Sequence, residues 1–237
     1  MLMRIENYHF HAKIKKPLRL AFLSDLHDTE NEPILSALER EAPDAILIGG
    51  DLIHNDKRYQ RGFDLLEACA KRRPVFCAIG NHECCYGEEI LKELEQRGGI
   101  LLHNRAVQFE GIWIGGLSSG YPLCPHRNLK KTPRPNLAFL EEFSKREGFK
   151  LLMSHHPEYF APYIKELPID LTLSGHAHGG QWRLLGQGIY APGQGLFPKY
   201  TSGLYENRLL VGRGLGNAYP IPRFGNLREL IILELGE

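Results

Sequence analysis

Two histidines separated by one residue, His176 and His178, lie in the glycine-rich segment Gly175-His-Ala-His-Gly-Gly-Gln. Glycine lets the backbone bend closely, so two imidazoles at this spacing can be aimed at one point and bind a transition metal there. Taken alone, the segment is also compatible with a solvated turn. Further ligand-type residues along the chain favour the metal site.

These further candidates follow apolar runs that predict buried strands. They are Asp25 and His27 after residues 18–23, Asp51 after 44–48, Asn81 after 75–79 and His155 after 149–153. His176 and His178 likewise follow the apolar run 169–173. Ligands of open α/β sheets bind at the carboxyl ends of the strands, so we expect these side chains to converge along one sheet edge.

The elements that must position these residues alternate between strand and helix. Apolar periodicity predicts helices over residues 32–41, 58–72, 87–97 and 136–147. Other strands are predicted near 4–14, 100–109, 111–116 and, as short strands between Gly/Pro turns, within 182–237. The alternation predicts parallel βαβ units. Because the chain has no repeat or linker, its length predicts a single α/β domain over residues 1–237.

Composition argues against several functional classes. Because 29 Lys and Arg face 28 Asp and Glu, the net charge is only +1, and we expect no nucleic-acid partner. No apolar run approaches the roughly 20 residues of a membrane-spanning helix, and the first residues lack a signal peptide's apolar core. These features predict a cytoplasmic protein without a membrane span. Its five cysteines are then expected to be reduced thiols.

The candidate ligands outnumber what a single metal ion needs. They are Asp25, His27, Asp51, Asn81, His155, His176 and His178. Two ions that share a bridging carboxylate would use all of them. Mixed imidazole, carboxylate and amide ligands suit Mn, Fe, Zn or Co better than Ca or Mg. Such a pair polarises phosphoryl oxygens and lowers the pKa of a bridging water from about 15.7 towards 7, which predicts phosphoester hydrolysis by a metal-bridging hydroxide.

The order of five motifs makes this pattern recognisable. The motifs are Asp-x-His at 25–27, Gly-Asp at 50–51, Gly-Asn-His-Glu at 80–83, a downstream His at 155 and Gly-His-x-His at 175–178. In that order they resemble the calcineurin-like metallophosphoesterase superfamily, and the segment Ser154-His-His-Pro-Glu is most similar to a bacterial branch of metallophosphoesterases or phosphodiesterases. The resemblance implies a metallophosphoesterase fold, a four-layer α/β/β/α sandwich of two mixed sheets flanked by helices.

The resemblance also implies a role for each ligand. The implied ligands are Asp25, His27 and His178 for one metal and Asn81, His155 and His176 for the other, with Asp51 shared. The catalytic residues would be Asp51 and His82. His82 would not bind metal but would lie beside the leaving oxygen, as a general acid or a transition-state hydrogen-bond donor. Physical chemistry agrees, since a histidine next to a metal-bound phosphate can keep its proton near neutral pH. The implied cofactors are two divalent transition-metal ions, with Mn²⁺ favoured.

Several neighbouring residues have more than one interpretation. Strand alternation lets only one of His155 and His156 face the site, and the family pattern favours His155. Glu83 is expected to support His82 or a backbone turn rather than to bind metal. Asp28 could contact a partner of the ligands or lie in solvent.

Two further features flank the predicted site. Cys84 and Cys85 are expected to be sensitive to oxidation rather than metal-bound. Residues 117–135 predict a long loop rich in Pro, Gly and basic side chains. Its candidates for substrate contact are Arg127, Lys130, Lys131 and Arg134. A solvated charge run is the favoured interpretation of these residues.

The expected partner is a small phosphorylated substrate, and a phosphodiester is favoured over a phosphomonoester. By resemblance, related enzymes cleave the pyrophosphate of a nucleotide-linked lipid, and the apolar segment 196–200 could accommodate an acyl chain. The alternative is a non-catalytic scaffold, since some superfamily members serve as interaction subunits. Such members usually have eroded ligands or lack the leaving-group histidine, whereas the seven ligands and His82 are all present here.

Overall fold

Two six-stranded sheets, packed face to face and flanked by helices, form the fold. The computed structural model describes residues 2–27, 29–54, 59–123, 132–217 and 222–237. In chain order the strands are β1 (Met3–His11), β2 (Leu18–Leu23), β3 (Ala45–Ile48), β4 (Val75–Cys77), β5 (Ile100–Leu101), β6 (Arg105–Phe109), β7 (Ile112–Leu117), β8 (Lys150–Ser154), β9 (Leu171–Ser174), β10 (Arg183–Leu184), β11 (Gln187–Gly188), β12 (Tyr190–Ala191), β13 (Gly195–Leu196), β14 (Gly203–Tyr205), β15 (Leu209–Val211) and β16 (Arg228–Gly236). The helices are α1 (Glu32–Glu41), α2 (Gln60–Ala70), α3 (Asn81–Cys84), α4 (Glu88–Gln96) and α5 (Leu137–Ser144).

Both large sheets are mixed. The first has the order β1-β16-β2-β3-β4-β5, in which β2 to β5 are parallel and β16 is antiparallel to β2 but parallel to β1. The second has the order β14-β15-β9-β8-β7-β6, in which the edge strands β14 and β6 are antiparallel to their neighbours. Strands β7, β8, β9 and β15 run parallel between those edges.

Burial on both faces of the sheets explains their continuous apolar strands. Successive side chains point to opposite faces, so a strand between two layers is apolar on both sides. Phe22 of β2 lies in the core between the sheets with Met153 of β8, whereas Leu23 packs on the opposite face with Leu66 of α2. Phe143 of α5 packs on the outer face of the second sheet. The expected four-layer α/β/β/α arrangement is confirmed.

The helices lie close to the predicted positions. α5 follows Asn136, whose side-chain Oδ1 accepts a hydrogen bond from the backbone N–H of Phe139 at 3.0 Å, a typical N-cap. α2 and α4 are shorter than the predicted 58–72 and 87–97. Within the part of the chain that the structure describes, no helix has the length and apolar character to cross a membrane.

The last strand departs from the prediction of short strands over residues 182–237. β16 spans nine residues and lies between β1 and β2, and its residues 230–233 are buried on both faces. The prediction is wrong for this stretch, because the run Leu-Ile-Ile-Leu has the pattern of a fully buried strand. The short strands β10 to β15 occur as predicted.

Backbone hydrogen bonds fix the segments that follow the central strands. The N–H of Leu26, after β2, donates to the carbonyl of Asp51, after β3, at 2.9 Å. In the second sheet, the N–H of Gly175 donates to the carbonyl of His155 at 3.1 Å and so links the ends of β9 and β8. The candidate ligands are therefore carried by paired segments at the carboxyl ends of parallel strands.

Candidate metal centre

Most of the predicted ligands have an unusual backbone conformation. Five of the seven have a φ between 46° and 62°, namely Asp25, His27, Asp51, His176 and His178. Residues other than glycine rarely adopt this left-handed region, because the Cβ atom crowds the backbone there. Such conformations persist only where the surroundings impose them, and they concentrate at functional sites. Backbone strain and ligand chemistry therefore coincide in these residues.

The Asp25 cluster consists of Asp25, His27 and His178, each offering a ligand atom within 4.8 Å of the other two. The Nε2 atoms of His27 and His178 are 3.3 Å apart, and Nε2 of His178 is 3.6 Å from Oδ1 of Asp25. All three residues are buried. Two nitrogens that each lie about 2.1 Å from one ion are themselves roughly 3–3.4 Å apart, so this spacing suits a shared cation.

The Asp51 cluster consists of Asp51, His155 and His176, whose ligand atoms also lie within 4.8 Å of one another. Nε2 of His155 is 3.1 Å from Oδ2 of Asp51 and 3.8 Å from Oδ1 of Asp25, so His155 contacts the carboxylates of both clusters. Nδ1 of His155 is 2.8 Å from the carbonyl oxygen of Gly49. If Nδ1 donates its proton to that carbonyl, Nε2 is left as the ligand atom.

Asn81 and His82 follow β4, and His82 lies beside Asp51. The backbone N–H of His82 donates to Oδ1 of Asp51 at 2.9 Å, and Nε2 of His82 is 3.8 Å from Oδ2. The ring of His82 is 4.6 Å from that of His27. The side chain of His82 is 14% exposed, whereas that of His155 is fully buried. His82 is therefore accessible to a molecule that arrives from solvent.

The donor set fits divalent metal ions. The side-chain Oδ1 of Asn81 is buried and has no hydrogen-bond partner. Buried polar atoms are normally satisfied, and a cation would satisfy this amide oxygen. Carboxylate, imidazole and amide donors together are typical of transition-metal sites.

Three of the four imidazoles in the two clusters are neutral at pH 7. Burial lowers the pKa of His27 and of His176 well below the usual value, and lowers that of His178 to about 4. Burial removes water from around the ring, and this loss of hydration disfavours the protonated, positively charged form. Neutral imidazole is the form that binds metal ions, so these three rings require no deprotonation.

His155 differs from the other three. Burial alone would lower its pKa, but the carboxylates of Asp51 and Asp25 outweigh burial and raise the pKa to about 10. Conversely, burial would raise the pKa of Asp51, but the imidazoles of His155 and His82 hold it well below its usual range. Before a metal ion binds, His155 is therefore protonated on both ring nitrogens and positively charged at pH 7.

Glu83 supports the backbone around Asp51. Its Oε2 accepts hydrogen bonds from the N–H groups of Asp51 at 2.9 Å and Gly80 at 2.8 Å, and its Oε1 accepts from that of Ile53 at 3.3 Å. Burial, followed by the negative charge of Asp51, raises the pKa of Glu83. The prediction that Glu83 supports a backbone turn is confirmed.

Asn226 plays a comparable part near His178, and the sequence did not suggest it. Its Nδ2 donates to the carbonyl oxygens of His178 at 2.7 Å and Gln181 at 3.2 Å. A Cβ atom on Gly179 would lie 2.4 Å from Oδ1 of Asn226, so only glycine fits the turn at that point. Asn226 is far along the chain from the histidine motif and lies in no recognisable pattern.

His156 was also missed as a site residue. It is buried, and its ring lies 4.3 Å from that of His176. Its Nε2 is 2.6 Å from Oγ of Ser119, and its Nδ1 is 3.3 Å from Oε1 of Glu158. Of the two adjacent histidines, His155 thus lies against Asp51, and His156 adds a polar layer around His176.

The other residues near the predicted site differ in burial. His54, which no motif indicated, is buried, with its ring 5.3 Å from that of His27. Cys84 and Cys85 are buried, and burial raises the pKa of the Cys84 thiol. Arg134 is exposed. Four residues with predicted roles lie outside the described residues, namely Asp28, Arg127, Lys130 and Lys131.

The fold and the clustered donors together are those of a metal-dependent hydrolase. Comparison with protein families agrees, since the model of the calcineurin-like phosphoesterase family matches residues 18–180. That match spans more than half of the chain. The chain belongs to the calcineurin-like phosphoesterase family, and it is a metal-dependent phosphoric ester hydrolase.

Similar proteins occur in several bacteria. Phosphodiesterase YaeI of Escherichia coli is 29% identical over 92% of this chain and 82% of its own length. The uncharacterized metallophosphoesterase YkuE of Bacillus subtilis is 30% identical over 91% of this chain and 76% of its own length. Among solved structures, phosphopantetheinyl hydrolase of Mycobacterium tuberculosis is similar with a TM-score of 0.48 and 14% identity, covering 83% of this chain and 89% of that chain. This last similarity is too low to carry a substrate from one protein to the other.

Proposed function

We propose that the chain hydrolyses phosphodiesters with two divalent metal ions, one at the Asp25 cluster and one at the Asp51 cluster. The observation that carries the proposal is the contact between the clusters, since Nε2 of His155 lies 3.1 Å from Asp51 and 3.8 Å from Asp25. Ions in such neighbouring clusters would be close enough to act on one phosphoryl group.

The proposed ligand sets follow the two clusters. One ion would take Asp25, His27 and His178, and the other would take Asn81, His155 and His176, with Asp51 shared. Sharing is supported by the central position of Asp51, whose Oδ2 lies 3.1 Å from His155 and whose ligand atoms also group with those of His27 and His82. We propose Mn²⁺ as the ion, because the mixed donor set suits it, although the same set also binds Fe, Zn and Co.

The ions and the side chains would divide the chemistry. A bound pair of ions supplies a nucleophile at neutral pH and neutralises charge on phosphoryl oxygens. Asp25 and Asp51 orient the site and are themselves held by backbone N–H groups, those of His176 and His82 respectively. His82, which is partly exposed beside Asp51, would donate a proton from Nε2 to the leaving oxygen.

A diester is the proposed substrate class. It is supported by the similarity to a protein named as a phosphodiesterase. A nucleotide-linked lipid with a pyrophosphate bond is the proposed particular case, because Leu196 and Phe197 are 69% and 70% exposed in the segment that could contact an acyl chain.

The test uses purified protein loaded with manganese. We expect bis-p-nitrophenyl phosphate to be cleaved faster than p-nitrophenyl phosphate, and we expect a nucleotide-linked lipid to be cleaved at its pyrophosphate. His155→Gln should remove activity, whereas His9→Gln provides a matched control, since His9 is 71% exposed on β1. Cleavage of none of these substrates, or full activity of His155→Gln, would refute the proposal.

A further inference from the structure

The exposed apolar side chains of this protein are concentrated in the segment of the chain that follows the His178 motif. Of the twelve large hydrophobic residues exposed among the described residues, nine lie between positions 182 and 227. The five that matter most are Trp182, Leu184, Leu185, Phe197 and Phe224, which are 49%, 64%, 99%, 70% and 72% exposed. An apolar surface of this kind on a folded protein usually marks an interaction site.

Backbone hydrogen bonds join these residues into one unit, which we call the hairpin module (residues 182–198 and 222–224). The N–H of Phe197 donates to the carbonyl of Ile189 at 2.8 Å, and the N–H of Ile189 donates to that of Trp182 at 2.8 Å. Trp182 also pairs with Phe224 in a parallel bridge. The module begins directly after Gln181, so it is continuous with the segment that carries His178.

The turn at the tip of the first hairpin has Leu185 at a position that favours Asn or Gly. β10 and β11 are joined by Leu185 and Gly186 alone, with φ of 49° and 84°. A two-residue turn with both φ positive favours Asn-Gly, because Asn tolerates the left-handed region better than Leu. Leu185 therefore combines backbone strain with near-complete exposure, and Phe197, with φ of 49°, is 70% exposed in the second hairpin. Strained conformations of this kind concentrate at functional contacts, which agrees with an interaction surface at the module.

The charge of this region indicates what that contact is. The module contains two cations, Arg183 and Arg223, and Lys199 lies directly after its second hairpin, but no Asp or Glu occurs within it, although the whole chain is only +1. Lys199 is exposed beside Phe197, and Arg183 binds the carbonyls of Gly179 and Gly186 rather than a carboxylate. A second copy of the chain would bring this positive charge against itself, which disfavours self-association.

We propose that the hairpin module docks the enzyme on an anionic lipid membrane. Exposed Leu and Phe side chains would enter the boundary between headgroups and acyl chains, Trp182 would lie at the headgroup level, and the cations would meet anionic headgroups. The metal centre would then face phosphoester groups at the membrane surface. The inference rests on the surface of the module and does not require a lipid as the substrate.

Vesicle co-sedimentation of the full chain tests this proposal. The wild type should bind vesicles of phosphatidylcholine mixed with phosphatidylglycerol more tightly than vesicles of phosphatidylcholine alone, and added salt should weaken the binding. The variant Leu184→Thr/Leu185→Asn should lower the partition coefficient about tenfold or more, because two apolar side chains leave the interface. It should remain folded, since Thr suits a strand and Asn-Gly suits the turn. Leu2→Asn is the control, because Leu2 is 76% exposed outside the module.

Each outcome has a definite meaning. Loss of vesicle binding in the double variant, with thermal stability and cleavage of bis-p-nitrophenyl phosphate unchanged, supports the proposal. No binding by the wild type, equal binding to phosphatidylcholine alone, or unchanged binding by the double variant overturns it. A dimer that the double variant converts to a monomer, without vesicle binding, would instead identify a self-association surface and also overturn it. Because activity on a soluble diester is measured separately, failure here leaves the proposed hydrolysis standing.

Discussion

The Asp25 cluster and the Asp51 cluster have the same composition, one carboxylate and two imidazoles, but they hold protons differently. In the Asp25 cluster, burial lowers the pKa of both rings, that of His178 to about 4. In the Asp51 cluster, the pKa of His155 is raised to about 10 against the effect of burial. The difference follows from geometry, since His155 lies within 3.8 Å of both carboxylates. The close contact of His155 with Asp51, reinforced by Asp25, rather than the composition of its cluster, makes this ring a cation, whereas burial keeps His176 of the same cluster neutral.

The largest expected effect comes from the carboxylate that the proposal shares between the ions. Asp51→Asn should lower kcat/KM for bis-p-nitrophenyl phosphate by about a thousandfold or more, the several kcal/mol that metal ions contribute to such reactions. Metal analysis should find both ions depleted in Asp51→Asn but only one in Asp25→Asn. Equal metal loss in the two variants would argue against sharing.

A substitution at His82 distinguishes the contribution of proton transfer from that of metal binding. His82→Gln should keep the metal content of the wild type but lower kcat about a hundredfold, the usual contribution of a general acid. The loss should be larger for an alkyl diester than for a p-nitrophenyl diester, because only the alkoxide needs a proton on leaving. The same loss with both leaving groups would exclude His82 as the acid.

The proton on His155 predicts a pH dependence that only the Asp51 cluster has. Metal must displace this proton at any pH below about 10, so affinity at the Asp51 cluster should rise with pH, by roughly tenfold per unit between about pH 6 and pH 8. The Asp25 cluster should be much less sensitive in this range, because its imidazoles are already neutral. Calorimetric titration in buffers of different ionisation enthalpy should detect about one proton released from His155 at pH 7, in addition to the proton lost by metal-bound water. Two sites with the same pH dependence would contradict the assigned charge states.

The smallest expected effects come from the residues that hold each cluster. Glu83→Gln should lower the free energy of unfolding by about 1–3 kcal/mol, because buried N–H groups of Asp51 and Gly80 lose a charged acceptor. Asn226→Ala should cost about 1 kcal/mol and loosen the segment that carries His178. Urea unfolding measures both effects. Glu83→Gln should lower the metal content of the Asp51 cluster, and Asn226→Ala should lower that of the Asp25 cluster. The reverse pattern would contradict the supporting roles assigned to Glu83 and Asn226.

Much of the fold could be predicted from the sequence, because each strand end carries its own local pattern. An apolar run followed by Asp25, Asp51 or His155 predicts both the strand and the polar group at its end, and the structure brings these residues together. Asn226 could not be predicted, since its contacts with the His178 segment depend on long-range packing. Residue type also gives only a weak signal for the left-handed conformations of the ligands, because Asp and His, although enriched in this region, adopt it in a small fraction of cases.

The position of β16 in the sheet was likewise beyond the sequence pattern. Local hydrophobicity predicts a strand but not its neighbours, and β16 pairs with segments from the other end of the chain. The metal roles of the seven ligands and the single-domain organisation stay predictions that the variants above and limited proteolysis can test.

The placement of β16 also determines when the first sheet can form during translation. β1 leaves the ribosome before the other strands described here, yet its partner in the sheet is β16, and Met3 pairs with Arg228. Until residue 228 has emerged, the nascent chain holds an unpaired strand, so the first sheet closes only late in translation. A polypeptide released before that point would keep β2 through β5 but expose the edge of β2 that β16 normally covers, which makes such fragments candidates for chaperone capture or aggregation.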